Sequence, residues 1–313
     1  MMAYLLRRLL AVIPVLAIVG VLVFSLLRLT PGDPAAVLAG DYATPEQVAA
    51  IRTQMGLDRP LPEQLLSWSA RIFQGDLGVS IFSQQPVAKL ILERIEPTLV
   101  LTVVTVLLAV TAAVPMGVLA AWRAGGWTDR VVMSIAVAGY STPVFVVGYG
   151  LVYLFAMQLA WFPAQGYTPL AQGFWACMRG VALPALTLAF LYMGLIARVT
   201  RASVLEILAE DYVRTARAKG LRPPQVLMRH ALKNAAVPIV TVVGIGIASL
   251  LGGVVVTETV FNIPGLGRLA ADAISRRDYP IVQALILLFA AVYAGINLLV
   301  DLSYLLFDPR IRY

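Results

Sequence analysis

One histidine and one cysteine occur in 313 residues, and each scarcity removes a class of chemistry. Cys177 has no partner for an intrachain disulfide and implies neither redox chemistry nor a thiolate metal site. His230 alone excludes a paired-histidine metal centre within the chain and a conventional Ser-His-Asp triad. No Gly-Lys dipeptide is present, so the chain carries no phosphate-cradling P-loop and hydrolyses no nucleotide itself. H-E-x-x-H and G-x-S-x-G are absent as well. Charge is scarce too: 13% of residues are Asp, Glu, Lys or Arg, against about a quarter in an ordinary soluble domain.

Apolar residues take the space, at 60% of the chain and a mean hydropathy of +0.84. Long apolar runs without strand-like alternation predict an all-α membrane protein rather than a barrel. The net charge of +7 does not point to nucleic acid, because the basic residues cluster at the ends of the runs, where membrane topology places them.

Six transmembrane helices follow from the pattern. Leu9–Leu29 comes after Arg7 and Arg8, and no A-x-A site follows at once, so it reads as an anchored first span rather than a cleaved leader. The other spans are Pro97–Ala121, Val131–Met157 with a kink at Pro143, Ala182 to about Ile196, Ala235 to about Thr259, and Ile281–Phe307. Residues 1–29 hold the N-terminus and first span. Residues 30–96 form a small helical outer region, and residues 97–313 form a five-helix core. In the outer region, Thr44-Pro45-Glu46-Gln47 fits a capping box, Gly56 can close that helix, and Pro62 can open another before Gly75. Val87, Leu90, Ile91 and Ile95 make a third segment amphipathic. Gln158–Gly180 is an aromatic loop, and Phe261–Tyr279 is an outer loop. Small residues at Gly244, Gly246, Gly252 and Gly253 suit close helix packing in lipid. The excess of Lys and Arg in the N-terminus, in 122–130, in the fourth-to-fifth connection and in the tail places both termini on the cytoplasmic side.

The connection at 203–234 is the longest basic interruption in the core. Val204, Leu208, Tyr212 and Ala216 recur every four residues, which predicts one helical face that is apolar or small. Gly220 suits a left-handed helix stop, and Pro223 and Pro224 suit the first turn of a second helix ending near Asn234. A structured hairpin of this kind offers a handle for a partner. Docking in a groove would use Tyr212, Ala216 and Leu221, with Arg214, Arg217 and Arg222 as rim charges. Buried acids of the sort that drive ion-coupled carriers are few: Glu258 and Asp301 fall near span ends. Glu258 is open to two readings, a charge at the outer mouth of a pathway or a helix-end contact with Arg268 or another loop residue. Asp301 is expected to tie to Arg310 or Arg312, and Asp33 and Asp76 to cap turns. The chain therefore reads as a pathway without its own energy source: either a partner supplies energy, or it is a passive channel or secondary carrier.

Tyr212-Val213-Arg214-Thr215-Ala216-Arg217-Ala218-Lys219-Gly220-Leu221 resembles the EAA loop of binding-protein-dependent ABC importer permeases. That loop reads Glu-Ala-Ala, three residues, Gly; here Arg214, Thr215, Ala216 and Gly220 match, with arginine for the glutamate. The departure is typical of the dipeptide, oligopeptide, nickel and glutathione branch. Leu29–Pro34, Gly75–Gly78, Arg198–Ser203, Phe261–Gly267 and Asp308–Arg312 resemble the same branch in order along the chain, in its B-type subunit. The resemblance implies a type I ABC importer permease fold in a bacterial inner membrane. It implies a second homologous permease, two ATP-binding subunits that hold ATP and Mg, and a periplasmic or lipid-anchored substrate-binding protein. Tyr212, Arg214, Thr215, Ala216, Arg217, Gly220, Leu221 and Arg222 would then be the ATPase-coupling residues, working by alternating access. Glu258 is the translocation-path candidate, and no residue is expected to be catalytic or to bind a cofactor or metal. The implied cargo is a short peptide, with nickel and glutathione as alternatives.

Overall fold

A computed structural model describes residues 2–29, 34–39, 43–54 and 56–307. Among these residues the structure is helical apart from turns, loops and one isolated bridge between Val79 and Pro86. The helices are α1 (Met2–Leu29), α2 (Pro34–Ala39), α3 (Pro45–Gln54), α4 (Leu61–Phe73), α5 (Val87–Trp122), α6 (Trp127–Ser141), α7 (Val144–Leu151) and α8 (Phe174–Leu208). They continue as α9 (Asp211–Ala218), α10 (Pro223–Gln225), α11 (Ala236–Val260), α12 (Leu266–Arg276) and α13 (Tyr279–Phe307). π-helical turns extend α7 over Val152–Gln158 and α10 over Val226–Leu232. Among the described residues, four helices are long and apolar enough to cross a membrane singly. Two further pairs do so if each is counted as one bent crossing, which brings the total to the expected six.

The described residues fall into two compact units. One comprises Met1–Leu5, Ile95–Arg268 and Tyr293–Tyr313; the other comprises Leu6–Arg94 and Leu269–Val292. In the second unit local signals work as expected. Thr44 and Gln47 exchange capping-box bonds, the Gln47 N–H donating to Thr44 Oγ1 at 3.3 Å and the Thr44 N–H to Gln47 Oε1 at 2.9 Å. Asp76 Oδ1 accepts the Gly78 N–H at 2.9 Å, closing a turn on its own backbone. Asp278, buried just before α13, accepts the Ser80 hydroxyl at 2.5 Å and the Ile81 N–H at 3.2 Å, and so anchors the Val79–Pro86 bridge. Asp33, Arg310 and Arg312 lie outside the described residues.

Several boundaries differ from the sequence expectation. The amphipathic segment from Val87 and the second span are one 36-residue helix, α5, which Pro97 and Pro115 do not end. The fourth span lies in α8, 35 residues from the aromatic loop to Leu208, so Ser203–Leu208, expected to open the hairpin, continues the same helix. Pro143 does more than kink a helix. Thr142 is extended (φ −86°, ψ 129°), as a residue before proline prefers, and the α6 and α7 limbs diverge by 105°. The outer loop 261–279 contains α12.

The core of the first unit is built on α8. Leu183, Leu188, Ala189, Ile196 and Ala197 of α8 are buried together with Leu101, Ala109 and Ala113 of α5 and Leu250 and Val254 of α11. Backbones come close where side chains are minimal: a Cβ on Gly139 of α6 would sit 2.6 Å from the Phe190 carbonyl oxygen of α8. Of the glycines expected to pack in the fifth span, Gly244 meets Val300 and Gly246 meets Tyr192, whereas Gly252 faces open space. The 159–173 loop is pinned through Glu96, whose Oε1 accepts the Tyr167 hydroxyl at 2.9 Å and the Leu170 N–H at 2.8 Å. Burial, together with that carboxylate, pushes the Tyr167 phenol far above its ordinary range, so it remains a proton donor.

Candidate functional site

The hairpin begins where α8 stops. Ala209 and Glu210 turn the chain, Glu210 takes an extended N-cap conformation (φ −67°, ψ 146°), and α9 runs for eight residues. The break disrupts the expected stripe. Val204 is fully buried on α8, while Tyr212 on α9 is 43% exposed, so the four-residue repeat does not form one face. The inner face of α9 is instead Val213 and Ala216, three residues apart and both buried. Tyr212, Arg214, Thr215 and Arg217 are exposed, as are Gly220 and Arg222, while Leu221 is half-buried. Ala216 thus packs the hairpin from within, and the surface offered outward is Tyr212 with the arginines. The Arg214–Asp211 pair at 3.3 Å is fully surface-exposed and adds little stability.

Gly220 ends α9 in the left-handed region at φ +82°. The Gly220 N–H donates to the Arg217 carbonyl at 2.9 Å and the Leu221 N–H to the Ala216 carbonyl at 3.3 Å, the paired bonds of a Schellman motif. Pro223 and Pro224 then open the second limb, with Gln225 Oε1 accepting the Arg222 N–H at 3.2 Å. That limb passes through the Val226–Leu232 π-turn and meets α11 at a 60° bend. Ala231 and Ala235 pack with Val118 and Ala121 of α5, Val204 of α8 and Ile239 of α11, seating the hairpin on three long helices. Asn234 closes the hairpin: its Nδ2 donates to the Tyr212 hydroxyl oxygen at 2.9 Å and to the His230 carbonyl at 2.7 Å. Sequence reasoning missed Asn234. Its only signal is an amide at the end of the second limb, placed one turn beyond His230.

Glu258 lies near the far end of α11, about 33 Å along the helix from Ala236 at 1.5 Å per residue. It is fully buried. Oε1 accepts the Thr98 hydroxyl of α5 at 2.6 Å, and Thr98 Oγ1 in turn accepts the Leu266 N–H at 2.8 Å. Oε2 accepts the Arg268 N–H at 2.9 Å, with the Gly267 N–H turned to the same carboxylate. The carboxylate therefore caps the first turn of α12, where free N–H groups and the helix dipole favour negative charge. Asn262-Ile263-Pro264-Gly265-Leu266-Gly267 is the cradle for it. A Cβ on Gly265 would collide with the Glu258 carboxylate, and one on Gly267 would lie 2.7 Å from Val255 Cα. Arg268 does approach this site, through its backbone, while its side chain bonds Asn262 Oδ1. Both carboxylate oxygens are occupied by protein donors.

The structure thus gathers the eight hairpin residues into one element and holds Glu258 apart, at the opposite end of α11. The described residues form a helical membrane protein with a structured basic hairpin between its fourth and fifth candidate crossings. Residues 113–313 match the family described as binding-protein-dependent transport system inner membrane component, and residues 1–102 match its N-terminal companion. The chain belongs to this family of ABC importer permeases. A probable peptide ABC transporter permease protein of Sinorhizobium fredii is 54% identical over 310 residues, 99% of each chain. The glutathione transport system permease protein GsiC of Escherichia coli is 45% identical over 314 residues, covering both chains completely. The inward-facing MetNI methionine ABC transporter has a chain with a TM-score of 0.59 and 18% identity, matching 70% of this chain and 96% of that one; the likeness is one of fold.

Proposed function

We propose that this chain forms half of the translocation path of an ATP-driven importer for short peptides, with Tyr212, Arg214, Thr215, Arg217 and the Gly220 turn presented to an ATPase subunit. A second homologous permease completes the path, two ATP-binding subunits hold ATP and Mg, and a substrate-binding protein delivers cargo on the outer side. The permease itself hydrolyses nothing. Both termini and the hairpin face the cytoplasm, and residues 30–96 face outward, as the distribution of Lys and Arg favours. The observation that carries the reading is the hairpin: a short helix with an exposed basic face, stopped by a glycine, tied to its second limb by Asn234 and seated through Ala231 and Ala235 on three long helices. Such an element moves as one body when its outer face is pulled. ATP drives the cycle only if the ATPase holds the inward and outward states with different affinity. Peptide cargo is supported by the S. fredii relative, and glutathione, the cargo named for the E. coli relative, is itself a small peptide.

Reversing both Arg214 and Arg217 to glutamate tests the docking face. Two attractive contacts become repulsive, so affinity for the ATPase subunits is expected to fall at least about tenfold, read by copurification from detergent over a salt series. Wild-type retention of those subunits would remove the arginines from the interface. The cargo is tested by isolating the binding protein of the assembled complex and identifying the retained molecule by mass spectrometry; a metal ion without peptide would overturn the peptide reading.

A further inference from the structure

Arg201 lies about two turns before the end of α8. Its guanidinium forks onto Asp129 in the first turn of α6, with Nε 2.5 Å from Oδ1 and Nη2 2.7 Å from Oδ2. Asp129 is buried at 4% exposure, and its Oδ2 also accepts the Gly125 N–H at 2.9 Å. A two-pronged pair fixes orientation as well as distance, which a single contact or a lysine would not do. Further along the same two helices, Gly139 abuts the Phe190 carbonyl and Gly194 the Ala136 carbonyl, so α6 and α8 have little room to slide. An ion pair with one partner buried is a poor source of stability, because desolvation of Asp129 offsets the attraction; what it specifies is geometry. The position is telling. On one side α8 runs directly into the hairpin through the Ala209–Glu210 turn. On the other, α6 runs into the 105° break at Thr142–Pro143.

We propose that Asp129 and Arg201 are positioning residues that transmit hairpin motion: the pair makes α6 travel with α8 when the hairpin is displaced, so that the displacement reaches the broken α6–α7 crossing. This role rests on the reading of the hairpin as the ATPase-docking element. Without the pair, α8 follows the hairpin while α6 lags, and ATP is hydrolysed with less cargo moved.

The test uses the complete complex of both permeases, the ATPase subunits and the binding protein, reconstituted in liposomes. Asp129→Asn keeps the side-chain shape and removes the charge. A second variant, Asp129→Leu with Arg201→Met, leaves no stranded buried charge and is expected to melt within about 4 °C of the wild type. Both are expected to retain the ATPase subunits and to hydrolyse ATP, with cargo moved per ATP reduced about tenfold, in the range that single coupling residues carry. Arg201→Lys, which keeps the charge but not the fork, is expected to fall between them and the wild type. An unchanged ratio of transport to hydrolysis in the double variant overturns the proposal. So does loss of the ATPase subunits from it, which would make the pair part of the docking surface instead. Failure of the underlying hairpin reading is seen separately, as wild-type coupling in Gly220→Val together with full ATPase retention when Arg214 and Arg217 are reversed.

Discussion

Gly220→Val is expected to abolish transport and substrate-stimulated ATP hydrolysis in the assembled complex, while the permease still reaches the membrane. The cause lies in the backbone. Gly220 sits at φ +82°, where L-residues pay about 1–2 kcal/mol and a β-branched side chain more. Among the described residues nothing lies within 4 Å of an added Cβ, so none of them adds a clash. To escape the strain the turn must reopen, giving up the bonds from Gly220 to Arg217 and from Leu221 to Ala216. Arg222 and the second limb are then re-aimed, and the docking face loses its shape. The effect is graded by side chain: asparagine tolerates the left-handed region best, alanine less, valine least. Transport assays on the three variants should fall in that order. Wild-type coupling in the valine variant would sink the proposal that this turn transmits force.

Glu258→Ala is expected to be among the most destabilising single changes in the chain. It strands the Thr98 hydroxyl and the first N–H groups of α12 in a buried site and leaves a void where the side chain was. Each buried donor left unpaired costs about 1–3 kcal/mol, and the void adds to that. The readout is the melting temperature of the detergent-solubilised permease, followed by loss of monodisperse protein. Glu258→Gln separates capping from pathway chemistry. Its amide oxygen can still accept from the α12 N–H groups while its NH2 meets Thr98 Oγ1, whose hydroxyl proton must turn elsewhere, so the loss is about 1–2 kcal/mol, less than for alanine. If Glu258 is a cap, that variant transports normally. If it is stable yet transports poorly, the negative charge itself serves the path.

What was legible in the sequence was whatever is decided locally. Thr44 and Gln47 form their capping box because both partners lie within four residues, and Gly220 stops α9 because no other residue suits that φ so well. The all-helical membrane class followed from composition and run length. What escaped was decided by partners distant in the chain. The break at Ala209–Glu210 is invisible to a four-residue repeat, so Val204 and Tyr212 were assigned to one face when a turn separates them. Pro143 announced a disturbance without its angle, which depends on where α7 finds packing. Asp129 and Arg201 are 72 residues apart, and Thr98 and Glu258 are 160 apart. Nothing in either neighbourhood names the other. The Asn262–Gly267 segment came closest to declaring itself: two glycines flanking a leucine after a proline ask for a reason, and the reason is the carboxylate they make room for.

That carboxylate also bears on how the chain is made. Glu258 enters a membrane helix as a polar group, and its α12 donors follow only ten residues behind it, at Arg268. At a synthesis rate of about 5–20 residues per second, they emerge about one second later. Asp129 must wait for a residue 72 positions on, about 4–14 seconds at the same rate. Its other donor, the Gly125 N–H, precedes it by four residues and is already synthesised. In order of synthesis, therefore, the Glu258 cap can close almost as soon as it is made, whereas the α6–α8 pair forms only once α8 has been added.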